Sequence, residues 1–394
     1  MLTLKILFWA CLLIVFYTYI GYGILLYILI RLKRLFKGKP MKTVLPSDGE
    51  LPTMTLMICA YNEEDVVAEK MENTLALDYP KDKFRIMWVT DGSNDRTNEL
   101  LGAYPEVDVV FSPERKGKTA ALKHGLRELQ TRYVAFTDAN TMINPGALRE
   151  IARLFMDSTV GCVSGEKRVA ARKKGEMAAE GEGLYWKYES TLKKWDSELY
   201  STMGAAGELY AVRPELCREV PDTALLDDFM MSMMIVDEGH RIAYTPEAYA
   251  LEYGSANIFE ESKRKRRIAA GGLQSIWWLR RMLNPLHQPL VAFQYISHRV
   301  LRWSLTPIAM VILLIANILL VVIGSCTLYT VMLILQGLFY LAALMGWLLG
   351  RKGHNNKLLY TAYYFIFMNI NVFRGMAYLR SHRHSGAWEK AKRS

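Results

Sequence analysis

The sequence predicts an α/β domain built on a mainly parallel sheet and flanked by membrane-spanning helices. Three observations carry this. Between residues 53 and 258, short β-rich apolar runs alternate with helical patterns, the rhythm of βαβ units. The ends of those runs carry polar clusters, as they do where an open sheet binds ligands. Two stretches, Ile6 to Ile30 and Trp303 to Gly350, contain no charged residue, which soluble domains rarely show.

In chain order, the first apolar stretch reads as a transmembrane anchor over residues 1–33. It is long for a cleaved signal peptide and lacks a small-residue cleavage site. Arg31, Lys33, Arg34, Lys37 and Lys39 follow it in a basic linker, residues 34–52. Positive residues favour the cytoplasmic side, so the next domain is expected in the cytoplasm, at the plasma (inner) membrane.

The domain at 53–258 begins with strand candidates Met54 to Ala60, Phe84 to Val89, Val107 to Phe111 and Tyr133 to Thr137. Helix-like segments Glu63 to Leu77, Asn94 to Ala103 and Thr119 to Gln130 separate them. The strand ends lead into Tyr61-Asn62-Glu63, Asp91-Gly92-Ser93-Asn94-Asp95, Arg115-Lys116-Gly117-Lys118 and Asp138-Ala139-Asn140. The second half is less regular, with an amphipathic stretch Tyr185 to Trp195 and a Gly204 to Gly207 turn.

Residues 259–302 mix charge with aromatic side chains, including Trp277-Trp278 and Arg280-Arg281, as expected of amphipathic helices at a membrane interface. The C-terminal membrane region, 303–379, holds two clear spans joined near Gly324-Ser325-Cys326-Thr327. A shorter candidate follows, Leu358 to Phe373, which contains Asn369 and Asn371 and reads as re-entrant or interfacial. Counting it as a span would put the basic tail, 380–394, on the outer face, against the positive-inside tendency.

The formal net charge of +10 gathers beside the membrane segments, which suits anionic lipid headgroups, and no nucleic-acid motif is present. Five cysteines are scattered without a CxxC pair, so neither disulfides nor a cysteine-bound metal is expected.

Taken singly, the polar clusters have bland readings. Asp138 and Asn140 suit a loop cap, Asp91-Gly92 a turn, and Asp227 or Asp228 the cap of a helix beginning at Phe229. The run Arg115-Lys116-Gly117-Lys118 suits either a solvated loop or a phosphate site at a helix start. Co-occurrence shifts the balance, because carboxylates at the ends of the second and fourth strands approach each other at one sheet edge. A carboxylate there can hold a divalent cation against a leaving diphosphate.

The ordered segments Cys59-Ala60-Tyr61-Asn62-Glu63-Glu64, Thr90-Asp91-Gly92-Ser93-Asn94-Asp95-Arg96-Thr97 and Thr137-Asp138-Ala139-Asn140 resemble the motifs of inverting family 2 glycosyltransferases. The resemblance runs from about Thr53 to Gly272, and the membrane flanks are similar to those of hyaluronan, chitin and poly-N-acetylglucosamine synthases. It implies a GT-A, Rossmann-like fold. It also implies that Ala60, Tyr61, Glu63, Asp91 and Lys118 hold the donor, and that Asp138 and Asn140 stand in the metal-binding D-x-D with its second Asp replaced. Leu226-Asp227-Asp228-Phe229 matches the acidic pair, with Asp228 as general base. Arg264-Lys265-Arg266-Arg267-Ile268 matches Q-x-x-R-W. Arg267 is kept for the leaving diphosphate, whereas Arg264 replaces Gln and Ile268 replaces the Trp that would stack on an acceptor sugar.

The expected activity is inverting transfer from a UDP-sugar, with Mg²⁺ or Mn²⁺, to a growing cell-surface polysaccharide. Transfer to a lipid phosphate or lipid-linked oligosaccharide is the alternative within enzymes. An inactive membrane-bound regulatory subunit is the alternative outside them, and retention of Asp91, Asp138, Asp228 and Arg267 argues against it.

Overall fold

A computed structural model of the chain describes residues 1–38, 44–170, 177–253, 258–324, 326–351 and 356–381. Lys39, Ser325 and most of the basic tail, with Arg383, Lys390, Lys392 and Arg393, lie outside the described residues.

Helix α1 (Leu2–Phe16) continues through a π turn (Tyr17–Gly21) into α2 (Tyr22–Lys37). The domain then runs β1 (Met54–Ala60), α3 (Val67–Leu75), β2 (Phe84–Asp91), α4 (Thr97–Leu101), β3 (Val107–Ser112), α5 (Lys118–Arg127) and β4 (Tyr133–Asp138). Next come β5 (Met142–Ile143), α6 (Ala147–Phe155), β6 (Val160–Ala170), α7 (Met177–Leu199), β7 (Leu209–Val212), α8 (Asp227–Asp237) and β8 (Arg241–Tyr253). The C-terminal part holds α9 (Ile258–Trp278), α10 (Pro289–Tyr295), a π turn (Ile296–Val300), the short α11 (Leu301–Trp303), α12 (Leu305–Val322), α13 (Thr327–Arg351) and α14 (Lys357–Ser381).

The described strands form one eight-stranded sheet ordered β3-β2-β1-β4-β7-β6-β8-β5. The first four are parallel, β7 runs antiparallel between β4 and β6, and β6 and β8 are parallel. Alternation across the pleat builds two cores. Leu56 and Ile58 of β1, Trp88 of β2 and Ala135 of β4 join α3 and α6 on one face. Met57, Val89 and Phe136 join α5 and α8 on the other. Both faces being covered, the central strands are largely apolar, and burying a side chain such as Ile58 contributes roughly 1.5–3 kcal/mol. The strand-to-helix connections therefore emerge at one edge.

Among the described residues, three helices are long and apolar enough to cross a membrane: Leu2–Lys37, Leu305–Val322 and Thr327–Arg351. The second half of the first does not behave like the first half. Phe8 and Cys11 pack against Ala309, Leu313 and Ala316 of α12, whereas Tyr22, Leu26 and Ile30 pack against Leu192 of α7. The segment expected to be re-entrant or interfacial forms the 25-residue α14, packed on α9 and α13 and outside the three apolar helices. Helix α9, expected to lie at the membrane interface, buries Arg264, Lys265, Ala269 and Ala270 within protein, leaving Phe259 and Trp277 among its exposed positions.

Candidate functional site

The parallel strands bring their ends to one level. Ala60 pairs in register with Thr90, Cys59 with Asp138, and Asp91 with Ser112. The β1 and β2 loops are laced together. Asn62, in the left-handed region (φ 52°) that a short polar side chain tolerates, donates from Nδ2 to Asn94 Oδ1 at 2.7 Å. Its side-chain oxygen accepts from Asn94 N at 3.0 Å, and Glu63 N donates to Thr97 Oγ1 at 2.9 Å. Tyr61 carries the Arg115 guanidinium over its ring at 3.9 Å, a cation–π contact.

Asp91 does more than face a ligand. Its Oδ1 accepts from Lys116 N at 2.9 Å and its Oδ2 from Gly117 N at 2.7 Å. The loop comes so close because residue 92 is glycine, at φ 67°, where a Cβ would lie 2.5 Å from Arg115 N. The loop ends at Lys118, the first residue of α5, whose Nζ reaches Asp138 Oδ1 at 2.7 Å. Below that turn, the buried Lys70 of α3 donates to Thr137 Oγ1 at 3.2 Å and to the Thr141 carbonyl. Burial drives the Lys70 ammonium down to about 7.

Lys118 and Asp138 line a cavity of about 460 Å³. Asp227, Asp228, Glu208, Arg264 and Arg267 line it too. Asp228 Oδ1 accepts from Phe229 N at 2.8 Å, and a Cβ on residue 207 would lie 2.7 Å from its Oδ2, so Gly207 makes room for the carboxylate. Burial first, and then the neighbouring Asp227 charge, push the Asp228 carboxyl up to about 6. Oδ2 of Asp227 and Nε of Arg267 are buried without hydrogen-bond partners, which a polar ligand in the cavity would relieve.

Arg264 is held differently from Arg267. It pairs with Glu208 at 3.1 Å and lies 3.7 Å from Glu252, in a buried cluster completed by Lys167. Burial alone would raise the Glu208 carboxyl, but Lys167 and Arg264 hold it far below the ordinary carboxylate range. Arg264 is thus anchored to the protein, and Arg267 is the arginine of the pair that keeps an unsatisfied nitrogen.

The structure brings Lys118, Asp138, Asp227, Asp228, Arg264 and Arg267 onto one cavity wall. Ala60 and Asp91 end β1 and β2, Tyr61 and Glu63 sit on the loop after β1, and Asn140 lies in the turn after β4, all outside the cavity lining. Among the described residues no cluster of three or more His, Cys, Asp or Glu side chains forms a self-sufficient metal site. The donor set nevertheless fits a hard cation that takes most of its ligands from substrate phosphates and water, with Asp138 as the anionic protein ligand. Sequence reasoning missed Glu208, Glu189, Arg299, Arg302 and the wall supplied by Tyr19 and α14. Asn369 and Asn371 in an otherwise apolar run were the one signal that α14 faces protein.

Residues 55–220 match the family model Glycosyl transferase family 2. Part of the chain is similar to a beta-monoglucosyldiacylglycerol synthase of Trichormus variabilis (strain ATCC 29413 / PCC 7937), 28% identical over 172 residues, 41% of this chain and 35% of that one. Another stretch is similar to a poly-beta-1,6-N-acetyl-D-glucosamine synthase of Staphylococcus aureus (strain MSSA476), 27% identical over 231 residues, 57% of this chain and 55% of that one. The chain thus spans about half or less of the length of these curated relatives. A solved mannosyltransferase from Pyrobaculum calidifontis, in complex with GDP-Man and Mn2+, superposes with a TM-score of 0.71 at 22% identity, covering 97% of this chain and 100% of that one. That likeness establishes the fold, which is GT-A.

Proposed function

We propose, for a chain that belongs to the family 2 glycosyltransferases through its domain at residues 55–220, the inverting transfer of a sugar from a nucleoside-diphosphate sugar to an acceptor hydroxyl at the membrane. The observation that carries this is the cavity itself. A carboxylate with a raised proton affinity, Asp228, shares it with Asp138 and Lys118, the groups suited to a diphosphate.

In this reading the base and ribose lie against Ala60, Tyr61 and Glu63, with Arg115 closing over Tyr61. Asp91 holds the loop that aims Lys118. A UDP-sugar is the donor the family resemblance implies, and the GDP-Man of the mannosyltransferase makes GDP-sugars the control donors. A bound Mg²⁺ or Mn²⁺ would neutralise charge on the leaving diphosphate. Asp138 would hold that ion, and the amide of Asn140 is the weaker candidate because it is neutral and lies outside the cavity wall. Arg267 faces the same charge from α9.

Asp228 removes the acceptor proton as its oxygen attacks the anomeric carbon. A single displacement opposite the diphosphate inverts the configuration. The catalytic domain works at the cytoplasmic face, where nucleotide sugars are made, and the glycosylated product contributes to a cell-surface saccharide.

The test is a screen of UDP- and GDP-sugars with the purified chain, reading nucleoside diphosphate release with Mg²⁺, Mn²⁺ and chelator. Metal-dependent release from one donor, lost in Asp228→Asn, is the expected result. No release from any donor with either metal removes the reading.

A further inference from the structure

Helix α3 buries Val67, Lys70, Met71 and Thr74, the i, i+3, i+4, i+7 stripe of an amphipathic helix against a core. Lys70 therefore holds a position that periodicity allots to an apolar side chain, and it is fully buried. Among the described residues it forms no ion pair: its Nζ donates to Thr137 Oγ1 at 3.2 Å and to the Thr141 carbonyl. Burying an ammonium on two neutral oxygens is costly, and a methionine would fill similar space without that cost.

Both oxygens belong to the segment that carries Asp138. Thr137 precedes Asp138 at the end of β4. Thr141 closes the turn after it, donating to the Asp138 carbonyl from N at 3.3 Å and from Oγ1 at 3.0 Å. Thr137 Oγ1 lies 2.9 Å from Thr141 Oγ1 and donates to the Glu208 carbonyl at 2.9 Å, so one hydroxyl ties the ammonium to the segment before β7 as well. Three residues along α3, Asn73 exchanges two hydrogen bonds with the backbone of Ile143, both at 2.9 Å, and fixes the far end of the turn.

The pleat explains why Lys70 reaches this turn from the side opposite Lys118. Along β4, Ala135 shares a face with Thr137, and Phe136 with Asp138. Ala135 belongs to the core that α3 joins, and Phe136 to the core that α5 joins. Lys70 thus grips the backbone and threonines of the turn from the α3 side, while Lys118, the first residue of α5, meets the Asp138 carboxylate at 2.7 Å. Burial opposes the Lys70 charge and the Asp138 carboxylate supports it.

We propose that Lys70 is a positioning residue for the metal and diphosphate: from the α3 side it holds the Asp138-Ala139-Asn140 turn in the shape that presents the Asp138 carboxylate. This rests on the transferase reading, in which Asp138 holds the divalent ion. Lys70 touches neither ion nor donor. It acts through Thr137 and Thr141, and removing supporting groups of this kind typically weakens metal affinity about 10- to 100-fold.

The experiment is calorimetry of UDP and GDP binding to the purified full chain, with Mn²⁺ and with chelator. The chains compared are the parent, Lys70→Met, Lys70→Gln, Thr137→Val and the double variant Lys70→Met with Thr137→Val. Mn²⁺ should tighten binding of one of the two nucleotides to the parent. In Lys70→Met that tightening should fall about tenfold while affinity in chelator stays within about twofold. Its thermal midpoint should stay near the parent's, because an apolar chain of similar length fills the site. Thr137→Val keeps the volume and removes the oxygen that Lys70 binds, so it should show part of the same loss. The double variant should lose little more than Lys70→Met alone, as expected of groups acting in one chain of contacts. Should Lys70→Met fail to fold, Lys70→Gln and Thr137→Val make the same comparison.

Metal-dependent tightening equal to the parent's in the folded variants overturns the proposal and leaves the transferase reading standing. So does an equal loss of affinity in chelator and in Mn²⁺ with a lowered midpoint, which would make Lys70 a general support of the fold. A parent chain that binds neither nucleotide more tightly with Mn²⁺ removes the metal role of Asp138, and the proposal with it.

Discussion

Asp228 is poised by its surroundings. Burial and the Asp227 charge raise its carboxyl to about 6, while the hydrogen bond from Phe229 N at 2.8 Å keeps the ionised form in place. A base works only when deprotonated, so kcat/KM should fall tenfold per pH unit below about pH 6 and level off above it, a profile measurable with the identified donor. Asp228→Asn keeps the shape and removes the base; turnover should drop by about 10²–10⁴-fold with nucleoside diphosphate affinity retained, measured by single-turnover kinetics and calorimetry. Asp138 lies 2.7 Å from Lys118 Nζ. Asp138→Ala should cost about tenfold or more in metal-stimulated nucleoside diphosphate affinity, and equal affinity with and without chelator in the parent chain would remove its role as a ligand.

At the scale of elements, the site depends on turns that bring backbone unusually close. The strand order puts β4 beside both β1 and β7, so the Gly204 to Gly207 turn that leads into β7 comes to face the start of α8. A Cβ at residue 207 would press within 2.7 Å of Asp228 Oδ2. Gly207→Ala should therefore displace the base and lower kcat by about tenfold to a hundredfold with little change in donor affinity, because small misplacements of a catalytic group are costly. Near-parent kcat in that variant would show that the turn relaxes freely. The loop after β3 behaves similarly, since Asp91 organises it through two backbone N–H groups and so sets where α5 begins.

At the scale of the whole molecule, a buried polar junction ties three parts of the chain together. Asp196 of α7 accepts from the Tyr22 hydroxyl of α2 and from Gln294 Nε2 of α10 at 3.0 Å, and it also contacts His298 Nδ1 in the π turn before α11. One carboxylate thus joins the N-terminal helix, the catalytic domain and the segment leading to the C-terminal helices. Removing it leaves several buried polar groups without their partner. Asp196→Ala should destabilise the detergent-solubilised chain by roughly 3–5 kcal/mol, read as a lowered thermal midpoint, and an unchanged midpoint would mean that the three parts hold together without it.

The sequence alone determined the alternating α/β pattern, the apolar spans and the order of Asp91, Asp138 and Asp228, because periodicity, charge exclusion and strand-end chemistry are local or ordered signals. Asp138 was legible only in that order, since Asp-Ala-Asn alone reads as a loop cap. Tertiary structure decided the rest. Arg264 and Arg267 look alike in sequence, yet Glu208 and Glu252, on other elements of the fold, bind the first and leave the second with an unpaired buried nitrogen. Asp91 was legible as a strand-end carboxylate, and only the approach of residues 115–117 showed that it also anchors that loop. Tyr19 and Thr361 stand near opposite ends of the sequence, and nothing in a pattern of neighbours could place them on one cavity. Contact of Tyr19 with Phe365 and Asn369 of α14 does so, because such packing depends on a partner surface that exists only once the chain has folded.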